Sequence, residues 1–223
     1  MDLATLKTTS MKFDFPSFVD PDTARQVINL ANPQAVHILW DLDETLVSHQ
    51  DFVFDRINRG LFELHEYQMT LQDKEQLKQQ LIEIGTDDIL DFTREKIFQK
   101  VDIQGLLYFL REDKSFTNNF VRTGTLALLK ELKSNLSMRI CTNGNFSQQS
   151  KKMNHLIEEI GFSLPVSYCS LIVPKPAPTC LLYSLEGHPS ENVLFIGDSW
   201  VDIQAANSAG IPFLNVSSLI GAE

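Results

Sequence analysis

Cysteine is scarce in this chain. Cys141, Cys169 and Cys180 are an odd number and lack metal-ligand spacing. That pattern favours reduced thiols in a cytoplasmic setting. Cys141 ends a strand-like apolar run and reads as core rather than as a nucleophile. Long hydrophobic runs are also missing: none approaches the roughly 18–20 residues that a membrane span needs. The opening Met1-Asp2-Leu3-Ala4 lacks the basic-then-apolar form of a secretory signal. Positive charge is in deficit, with 19 Lys and Arg against 29 Asp and Glu, a net charge of −10. That balance argues against nucleic-acid backbones or anionic membranes as main partners. It does not exclude a small anionic substrate, because one bound divalent cation and one placed lysine reverse the local field. There is no internal repeat and no low-complexity tract.

What the chain does have is 223 residues, enough for one core plus an inserted smaller unit. Short β-rich apolar runs recur at Ala35–Trp40, Met138–Thr142, Val166–Val173, Val193–Gly197 and Pro212–Val216. Helical patterns fall at Thr125–Lys133, Phe146–Ile160, Pro178–Leu185 and Asp202–Ala209. This alternation predicts an α/β protein: a Rossmann-like parallel sheet with helices on both faces. In such sheets the functional crevice lies beyond the carboxyl ends of the strands. Residues 47–117 break the rhythm with helical periodicity and little strand signal. Phe52, Ile57, Leu61 and Leu64 show it, as do Ile89, Phe92 and Ile97. They predict an inserted α-helical cap domain projecting over the catalytic end of a core made of residues 1–46 and 118–223. Residues 1–34 read as an extension, in which Asp20-Pro21 before Thr23–Ala31 looks like an N-capped helix with proline at its first position.

Four segments carry chemistry. The first is Asp41-Leu42-Asp43-Glu44-Thr45, directly after the run His37–Trp40. Alternate residues of an extended chain point the same way, so both carboxylates can face one site. Two such carboxylates repel, and burial adds to the cost. A cation or a proton-transfer task justifies the arrangement; a solvated strand end is the plain alternative. The second is Thr142-Asn143-Gly144, where a hydroxyl and backbone N–H groups at a strand end suit an oxyanion. Asn-Gly also simply turns chains. The third is Pro174-Lys175-Pro176, in which flanking prolines restrict the backbone around one lysine. The fourth is Gly197-Asp198 followed by Asp202, where Asp202 alone would read as a helix-start acid.

Taken together, Asp-x-Asp-x-Thr, Thr-Asn, Lys-Pro and Gly-Asp-x-x-x-Asp follow the motif order of the haloacid dehalogenase-like (HAD) hydrolase superfamily, which the chain resembles from about Val36 to Pro212. The insertion is similar to the helical cap of phosphoglycolate phosphatases, β-phosphoglucomutases and their relatives. Glu44 departs from the pattern, because many capped members have glycine there. Asp-Leu-Asp-Glu-Thr-Leu also occurs in small phosphatases that act on phosphorylated protein tails. Those relatives lack this cap and have a different fourth motif.

The resemblance implies a magnesium-dependent phosphomonoesterase for a small phosphorylated metabolite, or a phosphomutase using the same residues. A third class is a non-catalytic magnesium-binding or regulatory protein that retains the fold. By resemblance, Asp41 is the nucleophile and Asp43 the general acid and base. Family dehalogenases lack the second aspartate, which favours phosphate chemistry. Mg²⁺ would be held by Asp41, the backbone carbonyl of Asp43, Asp198 and Asp202. Thr142, Asn143 and Lys175 would bind the phosphate group. His49, Arg56, Arg59 and Lys96 are candidate substrate contacts in the cap, with an exposed surface role as the default for each.

Overall fold

The computed structural model describes residues 16–48, 57–64, 66, 68–70, 72–73 and 120–221. The chain divides into two compact units: Phe15–Ser48 with Val121–Glu223, and Met1–Asp14 with His49–Phe120.

The first unit is built on five parallel strands. In chain order they are β1 (His37–Trp40), β2 (Ser137–Thr142), β3 (Val166–Tyr168), β4 (Val193–Gly197) and β5 (Phe213–Asn215). Their order across the sheet is β3-β2-β1-β4-β5. The chain moves outward from β1 through β2 to β3, then crosses back to lay β4 on the other side of β1. The reversal of direction at β1 is the position where open α/β sheets leave a crevice. Trp40 pairs with Ile140 of β2 and Ile196 of β4, which brings the carboxyl ends of the three central strands level.

The central strand is apolar after His37 because both faces are covered. His37, Ile38, Leu39 and Trp40 are all fully buried. Leu39 aligns with Phe195 and faces a core of Cys141, Leu181, Val193, Ala205 and Ala206. That layer is made by α4 (Thr179–Tyr183) and α5 (Trp200–Ala209), which pack on each other. A second helical layer holds α1 (Pro21–Ala31), α2 (Thr125–Lys133) and α3 (Phe146–Ile160), with α2 packed against both of the others. The expected sheet with its helices is thus present.

The segment before β1 is part of this layer. Asp20 caps α1 by accepting from Thr23 N at 3.0 Å, Pro21 opens the helix, and Ala24 and Ile28 are buried. Phe18 bridges to Ile220 and stands edge-on to Trp40.

Two expectations are corrected. The run Val166–Val173 is strand only to Tyr168; Cys169–Leu171 turns as a short 3-10 helix. Cys169 is also not a free thiol. It forms a disulfide with Cys180 at the start of α4, with Cα atoms 5.3 Å apart. The reduced-thiol argument for a cytoplasmic setting therefore does not hold for this pair. Cys141 is free and buried.

In the second unit, residues 57–64 are helical, with Ile57 and Leu61 buried and Leu64 exposed. Phe52, Ile89, Phe92 and Ile97, and the candidate contacts His49, Arg56 and Lys96, lie outside the described residues. Among those described, no helix is long and apolar enough to cross a membrane.

Candidate active site

Asp41 begins where β1 ends. Its N–H still donates to Ile196 O of β4, at 2.8 Å, so the residue is fixed by the sheet itself. The carboxylate is buried. Lys175 Nζ reaches it from the loop before α4, donating to Asp41 Oδ1 at 2.6 Å, to Asp202 Oδ1 at 2.6 Å and to Cys141 O at 3.1 Å. All three ammonium protons therefore have acceptors. The ammonium also lies 5.2 Å from the centre of the Phe195 ring.

Asn143 holds this lysine in place. Its Nδ2 donates to Lys175 O and its Oδ1 accepts from Lys175 N, both at 2.9 Å. The peptide between Lys175 and Pro176 is cis. Asn143 thus spends its side chain on the Lys175 backbone, while Thr142 beside it is buried at the end of β2.

Asp198 and Asp202 complete a cluster with Asp41. One carboxylate oxygen from each of the three lies within 4.8 Å of the others. Asp202 has two duties. Its Oδ2 accepts from Ser199 N (3.1 Å) and Ser199 Oγ (2.6 Å), closing a capping box on α5, while Oδ1 serves Lys175. This is why Asp202 looks like a helix-start acid and still belongs to the site. Gly197 is required by the same packing, since a Cβ there would sit 2.7 Å from Asp202 Oδ2. Thr45 Oγ1 donates to Asp198 Oδ1 at 3.3 Å.

Asp43 does not share the Asp41 cluster. The chain turns after Leu42, Asp43 bridges to Val47, and the Asp43 carboxylate meets α3. Gln149 Nε2 donates to its Oδ2 at 2.7 Å, and Lys152 Nζ to its Oδ1 at 2.5 Å. The turn carries the Asp43 carboxylate to α3, from where its charge still acts on Asp41. Glu44 at its corner has φ of 54°, a left-handed conformation that suits glycine. Arg122 stitches the turn by donating to Thr45 O (2.8 Å), Glu44 O (2.7 Å) and Pro16 O (2.5 Å).

The charges are strongly coupled. Burial pushes the Asp41 carboxyl up to about 8; Lys175 opposes the rise, and Asp202 and Asp43 add to it. Burial likewise raises Asp198 to about 6, with repulsion from Asp202. Burial alone would lower the Lys175 ammonium, but Asp41 and Asp202 outweigh it and hold its pKa above the ordinary lysine value. Burial pushes the Cys141 thiol up to about 11, which keeps it neutral and unreactive. Three carboxylates around one ammonium leave an excess of negative charge. The donors are all hard oxygens, the set that suits Mg²⁺. The site residues fit that ion.

Arg122, Gln149 and Lys152 were not singled out from the sequence. The last two had a signal. They fall on the buried face of α3 with Met153, Leu156 and Ile160, so they are polar residues on an apolar stripe. Arg122 follows Phe120-Val121 in a stretch of mixed character and carries no comparable mark. Arg59 lies in the other unit, half-buried.

Comparison with known proteins agrees with this geometry. The model of the haloacid dehalogenase-like hydrolase family matches residues 38–216. No curated protein matches the sequence. A HAD-superfamily hydrolase of subfamily IA, variant 1, from Geobacter sulfurreducens is 21% identical, with a TM-score of 0.61, covering 81% of this chain and 86% of that one. A protein assigned as a β-phosphoglucomutase from Thermotoga maritima is 21% identical, with a TM-score of 0.62, over 79% and 83% of the two chains. The assigned HAD-hydrolase YfnB from Bacillus subtilis, solved bound to magnesium, is 23% identical, with a TM-score of 0.57, over 80% and 85%. At these identities the neighbours establish the fold, and the family model establishes membership: this chain belongs to the haloacid dehalogenase-like hydrolases.

Proposed function

We propose that the protein is a magnesium-dependent phosphomonoesterase acting on a small phosphorylated metabolite through an aspartyl-phosphate on Asp41. The observation that carries this is a division of labour. Asp41 is buried and fixed by the sheet beside Lys175, Asp198 and Asp202, while Asp43, two residues on, is gripped from α3 and partly open. A nucleophile needs the first environment and a proton carrier needs the second.

In this reading an Asp41 oxygen attacks phosphorus as the bond to the leaving oxygen breaks. Asp43 gives that oxygen its proton. Water then attacks the aspartyl-phosphate, Asp43 takes the proton back, and phosphate leaves. Lys175 and Thr142 stabilise the charge on the phosphoryl oxygens. Asn143 acts on this step through the backbone of Lys175. Magnesium, held by Asp41, the Asp43 carbonyl, Asp198 and Asp202, would offset repulsion between the nucleophile and an anionic phosphoryl group.

The test is phosphate release from a panel of phosphorylated metabolites, with and without Mg²⁺, against Asp41→Asn. Release that needs both the ion and Asp41 supports the reading. Movement of labelled phosphate between hydroxyls without release would turn it into a mutase. Silence from folded, magnesium-bound protein would sink both.

A further inference from the structure

The site contains a second lysine to which the family pattern gave no task. Lys152 lies on α3 with its side chain wholly buried, and its ammonium meets Asp43 Oδ1 at 2.5 Å. Gln149, three residues earlier on the same face, takes the other oxygen at 2.7 Å. Residues three apart on a helix are neighbours, so α3 presents them as one two-pronged grip. Burying an ammonium costs several kcal/mol unless a counter-charge meets it, so a fully buried lysine argues for a fixed partner. The local backbone makes room for the grip. A Cβ on Gly144, at φ of +83°, would lie 2.4 Å from Gln149 Nε2, so the glycine that turns the chain after Asn143 also leaves space for this side chain. On the other side, the Arg122 bonds fix the turn that follows Asp43.

We propose that Lys152 and Gln149 are positioning residues that hold the Asp43 carboxylate in the orientation from which it exchanges a proton with the leaving oxygen. The inference rests on the phosphatase reading. Neither residue touches the reacting atoms. Proton transfer needs donor and acceptor within about 2.6–3.2 Å, and a small misplacement of the carrier is costly. The step itself is unchanged. The phosphorus–oxygen bond breaks, the leaving oxygen takes the Asp43 proton, and the proton is restored from water when the aspartyl-phosphate is hydrolysed.

The experiment compares kcat/KM on two esters, the best alkyl phosphate of the metabolite panel and p-nitrophenyl phosphate. Nitrophenolate leaves without a proton, so its departure does not depend on where Asp43 points. In Lys152→Met the alkyl ester should lose about tenfold or more, carried by kcat and not KM, while p-nitrophenyl phosphate stays within about threefold. Gln149→Leu should show the same pattern more weakly. Thermal unfolding checks that each variant is folded. Should Lys152→Met fail to fold, Gln149→Leu and Lys152→Arg carry the test, with Lys152→Arg expected to retain more alkyl activity than Gln149→Leu. Equal losses on both esters, or no loss on either, would overturn the inference while leaving the phosphatase reading in place. Wild-type protein silent on both esters with Mg²⁺ present would overturn that reading and the inference with it.

Discussion

Asp41 and Asp43 are two residues apart, and each meets a lysine, but the two pairs are built on different terms. The Asp41–Lys175 pair is closed. Its side chains are 9% and 3% exposed, and the lysine is shared with Asp202. The Asp43–Lys152 pair is closed on one side only, with the lysine at 0% and the aspartate at 28%. Lys175 is placed at both ends, its backbone by the Asn143 side-chain amide and its ammonium by the Cys141 carbonyl. Lys152 is placed by a helix face. The Asp41 pair is surrounded, and Asp43 keeps one side open to water, as the proposed proton exchange would need. The difference follows from electrostatics. An ion pair with no water around it is rigid and intolerant of change, whereas a half-solvated one yields when a partner is lost.

The widest way to break this contrast is to delete each lysine in turn. Lys175→Met strands Asp41 and Asp202 as buried carboxylates, which should cost about 3–5 kcal/mol. Lys152→Met leaves Asp43 with access to water, and the loss should be about 1–2 kcal/mol. Urea unfolding of both variants in EDTA measures the two costs. Equal values would mean that the two pairs do not differ in the way their burial implies.

The second prediction uses the protons. Asp41 and Asp198 titrate at about 8 and about 6 in the folded protein, above their ordinary value of 3.8. Across that interval the folded state holds more protons than the unfolded state. These groups therefore contribute stability that is complete below pH 3.8 and lost as pH rises through 6 and then 8. In EDTA the melting temperature should fall between pH 5 and pH 8, and Asp41→Asn should flatten the slope. Mg²⁺ should flatten it too, because the cation takes the place of the protons. Its affinity should rise over the same window, and calorimetry in two buffers of different ionisation enthalpy would detect the protons it displaces. A wild-type slope that survives in Asp41→Asn would assign the effect to other groups.

Much of this was legible in the sequence, for a physical reason. β1 and β4 are buried on both faces, so β4 and β1 after His37 read as apolar runs, and the carboxylates that follow them stand out by contrast. Asp20-Pro21 predicted the start of α1 because capping is a local interaction. The misses are of another kind. The end of β3 at Tyr168 and the pairing of Cys169 with Cys180, 11 residues on, are tertiary features that nothing local to Cys169 reports. The grip on Asp43 by Gln149 and Lys152 spans 106 and 109 positions of chain, which strand alternation does not report. Lys152 was hidden by the habit of reading lysine on a helix as solvent-facing, although its place on the apolar stripe marked it.

A smaller effect sharpens the account of Asp202, which caps α5 with one oxygen and serves Lys175 with the other. Ser199→Ala removes the capping hydroxyl and should cost about 1 kcal/mol, as N-cap losses do. It leaves the Lys175 contact intact, so Mg²⁺ affinity should hardly change. A large fall in affinity would show that the cap also orients the carboxylate.

The smallest effect is expected at the hinge between the two pairs. Glu44 carries the left-handed conformation of the turn. Removing its Cβ in Glu44→Gly should relieve about 1–2 kcal/mol of local strain. The same change frees the unfolded chain and costs about 0.5–1 kcal/mol. The Arg122 bond goes to the Glu44 carbonyl, which any residue supplies. The opposing terms leave a net gain between zero and about 1.5 kcal/mol, read as a melting temperature at or slightly above wild type. Glu44 also supports the charge of Arg122, which burial pushes down to about 10. Loss of that carboxylate works against the gain. A clear fall in stability would therefore show that the Glu44 charge outweighs the strain of its backbone, and would explain why this chain keeps a glutamate at a position that suits glycine.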